Sequence, residues 1–82
     1  MPSRPRVVLF ARPECHLCDE ARAGLERLRG DGLDFELEEV DIESDDALHV
    51  RFLERIPVVE LDGEIVSELH LDADALTARL RS

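Results

Sequence analysis

The sequence contains no lysine, no tryptophan and no tyrosine, and its aromatic content is three phenylalanines. Its interior must therefore be built from Leu, Val, Ile and Ala rather than from stacked rings. No apolar run approaches the ~20 residues that span a bilayer, so no transmembrane segment is expected. Cysteine is equally scarce, with two residues at positions 15 and 18. A bridge between them closes too small a loop to constrain the unfolded chain, so stability must come from the core and not from a disulfide framework. Positive charge is the last shortage: ten arginines face twenty acids, giving a net charge of −10. That field repels phosphate backbones and anionic headgroups, which argues against nucleic-acid and membrane partners. The stretch from Met1 to Phe10 is basic and then briefly apolar, but it is too short for a signal peptide and lacks a small-residue cleavage site. A cytoplasmic location is expected.

What is present is a foldable chain of 82 residues, 44% of them hydrophobic. This length suits one domain, 1–82, with no repeat, low-complexity segment or linker. Val7 to Phe10 is a short continuous aliphatic run, the mark of a strand buried on both faces. From Cys15 to Arg29, Leu17, Cys18, Ala21, Leu25 and Leu28 recur at helical spacing, with acids at the start, arginines at the end and Gly30 just beyond. Gly24 inside this helix costs up to ~1 kcal/mol relative to Ala unless another element packs closely against it. In "DFELEEVDIE" the apolar phase changes between Phe35/Leu37 and Val40/Ile42, which predicts an acidic edge strand with a bulge near Glu38 and Glu39. Ser44 is the expected N-cap of a second helix carrying Leu48, Val50, Phe52 and Leu53. That helix ends before Ile56, because Pro57 biases its predecessor toward extended backbone. "PVVELDGEIVSEL" then reads as a hairpin turning at Asp62-Gly63, and Asp72 or Asp74 starts a last helix through Leu76 and Leu80. The order β-α-β-α-β-β-α implies an α/β fold with a four-stranded mixed sheet, a parallel first pair and helices on both faces.

The segment "RPECHLCDEA" carries the chemistry. It puts Cys15 at the junction of the first strand and first helix, and Cys18 one turn further in. Free N–H groups and the positive dipole end of the helix favour a thiolate at Cys15. Cys18, deeper in the helix, is the thiol that acts second. Arg12 and His16 are the neighbours placed to tune the thiolate, while Glu14, Asp19 and Glu20 oppose it.

With these residues in place, the chain resembles the glutaredoxin branch of the thioredoxin superfamily over essentially its whole length. "VVLFARPECHLCDEARAGLERL" is similar to that family's first strand, active-site loop and first helix, "FELEEVDIES" to its second strand, and "RIPVVELDGEIV" to its substrate-side hairpin. It looks closest to a short glutaredoxin-like group with Cys-His-Leu-Cys where better-known members have Cys-Pro-Tyr-Cys. The resemblance implies Cys15 as nucleophile, Cys18 as resolving thiol, and a cis peptide between Ile56 and Pro57 facing them. It also implies that backbone of Ile56 or Val58, beside Pro57, pairs with a bound thiol peptide. Glutathione-using members carry a Gly-Gly pair and an acid after the last strand, where this chain has "SELHLDAD". That departure disfavours glutathione as a co-substrate, since no glycine permits the same close approach. No cofactor is expected.

The expected function is thiol–disulfide oxidoreduction by a monomer. Its partners are a disulfide-containing protein or small thiol, and a reductant that is a thioredoxin reductase-type protein, glutathione or a dithiol. Two other classes compete with this. One is a thioredoxin-like adaptor that captures peptides at Ile56-Pro57-Val58 without turnover. The other is metal binding: Cys15, His16 and Cys18 fall short of the four ligands of a structural zinc, and an iron–sulfur cluster bridged by Cys15 from two chains would be needed instead. No metal is expected.

Overall fold

The structure is a computed structural model that describes residues 4–81. Its elements are β1 (Arg6–Ala11), α1 (His16–Gly30), β2 (Glu36–Asp41), α2 (Asp46–Phe52), β3 (Val58–Leu61), β4 (Glu64–Glu68) and α3 (Ala73–Arg81), with a 3₁₀ turn at Ile42–Ser44 between β2 and α2. The strands form one mixed sheet in the order β2-β1-β3-β4. β1 runs parallel to β2 and antiparallel to β3, and β3 and β4 form an antiparallel hairpin. At the hairpin turn Asp62 (φ 50°) and Gly63 (φ 90°) are both left-handed, the geometry of a two-residue turn that follows the sheet's twist. The Asp62 carboxylate also accepts from the Arg6 N–H at 3.0 Å, fixing the turn to the start of β1.

Alternation along the strands divides the core between two faces. Phe10 stacks on Phe52 of α2 with ring centroids 4.7 Å apart, and Val58 lies opposite Phe10, so both face α2. Val7, Leu9, Val59 and Leu61 point the other way, toward α1 and α3. Ion pairs show the same division, with Arg22 of α1 on Glu39 and Arg79 of α3 on Glu64. Arg51 and Arg55 lie over the Phe52 ring, so one buried aromatic joins strand, helix and the loop that follows.

Three local expectations are corrected. β2 has no bulge, pairing with β1 in unbroken register from Arg6↔Glu36 to Ala11↔Asp41. The phase change arises because Leu37, opposite Val7, meets the α1 side while Val40, opposite Phe10, meets the α2 side, and Ile42 has already left the strand. The register shift lies in the hairpin instead: Val59 pairs with Ser67 and Glu60 with Ile65, leaving Val66 as the extra residue. The second correction is the cap of α2. Asp45, not Ser44, accepts from the N–H groups of Ala47 (2.8 Å) and Leu48 (3.2 Å), because the Ser44 hydroxyl is donated back to the Asp41 carbonyl. Third, Val50 is 83% exposed and contributes nothing to the core, which α2 reaches through Phe52 and, in part, Leu48.

Gly24 has its close neighbour. A Cβ there would lie 2.7 Å from Leu71 Cδ2, so the missing side chain lets the segment before α3 settle onto α1. At the start of α3 the Asp72 carboxylate accepts from the Ala75 N–H at 3.0 Å, which makes Asp72 the capping acid.

Candidate redox site

Buried β1 ends at Ala11, and Arg12 to Cys15 turn the chain into α1, with Glu14 at φ 60° making the reversal. Cys15 is the N-cap of α1, in extended backbone (φ −108°, ψ 107°). Its Sγ accepts from the Cys18 N–H at 3.1 Å, while its carbonyl accepts the Asp19 N–H at 3.0 Å. A cap normally offers oxygen to these orphan amides; here sulfur takes the position. Cys15 and Cys18 form a disulfide with Cα atoms 5.1 Å apart. The two sulfurs are not equivalent: Cys18 is 0% exposed, whereas Cys15 is partly open at the helix end.

The surroundings place charge unevenly. Arg22, one turn beyond Cys18, donates to Asp19 at 2.7 Å and grips both oxygens of Glu39 at 2.5 and 2.7 Å. Its guanidinium is pushed up, chiefly by the hydrogen bond to Glu39 and next by that to Asp19. One of the three acids that oppose a Cys15 thiolate is therefore matched by a cation within the same turn. His16 is exposed, and its charged neighbour is Glu20, with Nε2 3.8 Å from Oε1. Arg12 is exposed at the rim.

Ile56, Pro57 and Val58 are all buried, and the peptide bond between Ile56 and Pro57 is cis. Ile56 and Cys18 belong to one buried apolar cluster, against which Cys15 packs. The Ile56 N–H is donated to the Phe52 carbonyl at 3.1 Å, and the Pro57 carbonyl accepts from Leu69 N–H at 2.9 Å. Val58 lies within the sheet between Phe10 and Glu68. Among the described residues the Ile56 carbonyl accepts no backbone hydrogen bond. The segment is clamped from β4. Arg55 binds both carboxylate oxygens of Glu68, at 2.9 and 2.5 Å, and the Leu69 N–H bonds the Arg55 carbonyl as well, at 3.0 Å. The Arg55 hydrogen bond holds the Glu68 carboxyl below the usual carboxylate range.

In the "SELHLDAD" stretch, Leu69 adopts φ 70°, a left-handed conformation that glycine takes most easily, and its side chain is 53% exposed. Neither the Arg22 clamp nor the Arg55–Glu68 clamp has a signature in local sequence, because the partners lie 17 and 13 residues apart. Leu17, expected on the buried face of α1, is instead 49% exposed beside the disulfide. Among the described residues no three His, Cys, Asp or Glu side chains converge on a common metal position, and no helix is long and apolar enough to cross a membrane.

The family model described as "Glutaredoxin-like domain (DUF836)" matches residues 6–81. The chain is similar to protein Ne2328 of Nitrosomonas europaea, solved by NMR, at 28% identity over 96% of this chain and 94% of that one, with a TM-score of 0.81. It is similar to protein XcR50 of X. campestris at 32% identity, covering 92% and 95% of the two chains, with a TM-score of 0.74. A mutant thioredoxin from Halobacterium salinarum aligns at 25% identity over 95% of this chain and 73% of its own, with a TM-score of 0.66. No curated protein sequence matches the chain. The fold is thus thioredoxin-like, and a Cys-x-x-Cys pair at the start of its first helix points to redox chemistry.

Proposed function

We propose, from the premise that this chain belongs to the glutaredoxin-like domain family, that it is a thiol–disulfide oxidoreductase acting through Cys15 and Cys18. The observation that carries the reading is the unequal access to two sulfurs on one helical turn. An incoming disulfide can reach Cys15 at the helix end and cannot reach Cys18, which is 0% exposed.

The Cys15 sulfur sits at the positive end of α1 and accepts the Cys18 N–H, a setting that favours the thiolate once the disulfide is opened. It attacks a substrate disulfide, forming a Cys15 mixed disulfide and expelling one substrate thiolate, which takes a proton from water. Cys18 then gives up its proton and attacks the Cys15 sulfur. The second substrate thiolate leaves and the Cys15–Cys18 bond remains. The substrate has gained two electrons from the protein and two protons, one released by Cys18 and one taken from water. Arg22 assists by matching Asp19, and Arg12 and His16 bound the open side of the site. The Ile56 carbonyl holds the substrate backbone beside Pro57.

The external reductant is a protein of thioredoxin-reductase type or a dithiol in preference to glutathione. At the "SELHLDAD" stretch a leucine side chain occupies the left-handed position, and the N–H of Leu69 is already spent on the Arg55 and Pro57 carbonyls. The substrate is a disulfide in a protein or small molecule, and the protein works as a cytoplasmic monomer.

Disulfide reduction assays on wild type, Cys15→Ser and Cys18→Ser test this reading. Turnover is lost in Cys15→Ser, and Cys18→Ser accumulates a stable mixed disulfide visible by mass spectrometry. Inertness of wild type with several reductants would replace catalysis by peptide capture. Stoichiometric iron after anaerobic purification, with both thiols unreactive, would replace it by metal binding.

A further inference from the structure

A groove of about 280 Å³ opens beside the disulfide, between α1 and the segment leading into α3. One wall is a stripe of α1, Leu17, Glu20, Gly24 and Arg27, at the three- and four-residue spacing of a single helix face. The opposite wall is His70, Leu71 and Ala73. The volume is at the lower bound of small-molecule sites, roughly 300 Å³, so the groove suits a short stretch of peptide and not a cofactor.

Its charges are arranged end to end. Glu20 lies at the end near Cys15 and Arg27 lies seven residues on, about 10 Å along the axis at ~1.5 Å per residue. Among the described residues neither is held by an opposite charge as Arg22 and Arg55 are. Glu20 has only His16, at 3.8 Å, and Arg27 has no carboxylate within ion-pair distance. Leu17, 49% exposed, joins the groove to the cysteines. About 10 Å is three residues of extended chain at ~3.3 Å each.

We infer that this groove selects protein substrates by the sequence beside their reactive cysteine: a cationic side chain close to the cysteine, an apolar one next, and an acidic one about three residues beyond the cation. The inference rests on the oxidoreductase reading above and names the substrate class for the same site. The cation meets Glu20, the apolar side chain lies against Leu71 where it covers Gly24, and the acid meets Arg27. The net charge of −10 favours the cationic part of the partner at long range.

The test uses the full chain and three synthetic peptides, each with one cysteine capped by the same small thiol as a disulfide. One carries the cation-apolar-acid flank, one the same residues with the charges exchanged, and one an uncharged flank. Release of the cap gives kcat/KM for each, in wild type and in the double variant Glu20→Arg/Arg27→Glu. Wild type prefers the first peptide over the charge-exchanged one by roughly three- to tenfold, the range of a pair of exposed ion pairs, and added salt erodes the preference. The double variant reverses it. Because both peptides react at the same Cys15, any change in thiol reactivity cancels in the ratio. Equal kcat/KM for all three peptides in wild type, or a preference that survives the charge exchange, overturns the inference while leaving disulfide reduction intact. Failure to reduce both the peptides and hydroxyethyl disulfide removes the oxidoreductase reading, and this inference with it.

Discussion

Replacing Ser67 by Ala stabilises the protein. Ser67 lies on β4 opposite Val59, facing α1 and α3, and among the described residues it is the buried polar one in an otherwise apolar interior. Its hydroxyl finds no hydrogen-bond partner among the described residues. A buried hydroxyl that has left water without compensation costs about 1–3 kcal/mol. Removing the oxygen leaves a void of roughly 10–15 Å³, which at ~24 cal/mol per Å³ costs about 0.3 kcal/mol. The expected net gain is therefore about 1–2 kcal/mol, large beside the total of about 4–12 kcal/mol usual for a chain this long. For a domain of this size each kcal/mol raises Tm by about 4–8 °C. Urea unfolding of wild type and Ser67→Ala, both with the disulfide intact, should show a higher midpoint at unchanged m-value, and calorimetry a higher Tm. A midpoint that falls would show that the Ser67 hydroxyl is hydrogen-bonded in solution and stabilises the fold.

Other expectations follow from the caps and clamps. Asp45→Ala removes the acceptor of two amides at the start of α2 and should cost about 1 kcal/mol by urea denaturation, while Ser44→Ala stays close to wild type; equal losses would return the cap to Ser44. Glu68 carries a pH dependence of known sign. Its carboxyl is held below 4.5 by Arg55 in the folded chain, so its stabilising contribution is fully present above that value and is lost as pH falls through the lower folded pKa. The stability gap between wild type and Glu68→Gln should therefore be constant near neutral pH and close under acid conditions, as read from urea midpoints across the range. A gap that does not narrow in acid would show that the ion pair is absent in solution.

The outline of this fold was legible because each element announces itself locally. The continuous run Val7 to Phe10, the helical spacing of Cys18, Ala21 and Leu25, and the left-handed pair Asp62-Gly63 all act through neighbours within a few residues. The place of Cys15 at the junction of β1 and α1 was legible for the same reason, and its sulfur's capping of the Cys18 amide was found in the fold. The misplaced bulge has a different origin. A strand touched by helices on both faces shows the same break in alternation as a bulged one, and only its partner's register separates the two. Ser44 and Asp45 are both good caps by residue type, and the choice was made by a 3₁₀ turn that took the serine hydroxyl first. The clamps by Arg22 and Arg55, and the groove between Glu20 and Arg27, join residues that only the folded chain brings together. What sequence could say of Gly24 was conditional, and Leu71 supplied the condition.

The two sulfurs occupy the cap and third positions of one helical turn, and that turn is closed independently by the bond from the Asp19 amide to the Cys15 carbonyl. Opening the sulfur–sulfur bond therefore leaves the backbone of this turn tied by its own amide. On the oxidoreductase reading proposed above, a partner that distinguishes the two states would find the same backbone in both. It would have to sense an anion at the open sulfur, so that recognition and electron delivery would fall on the same atom.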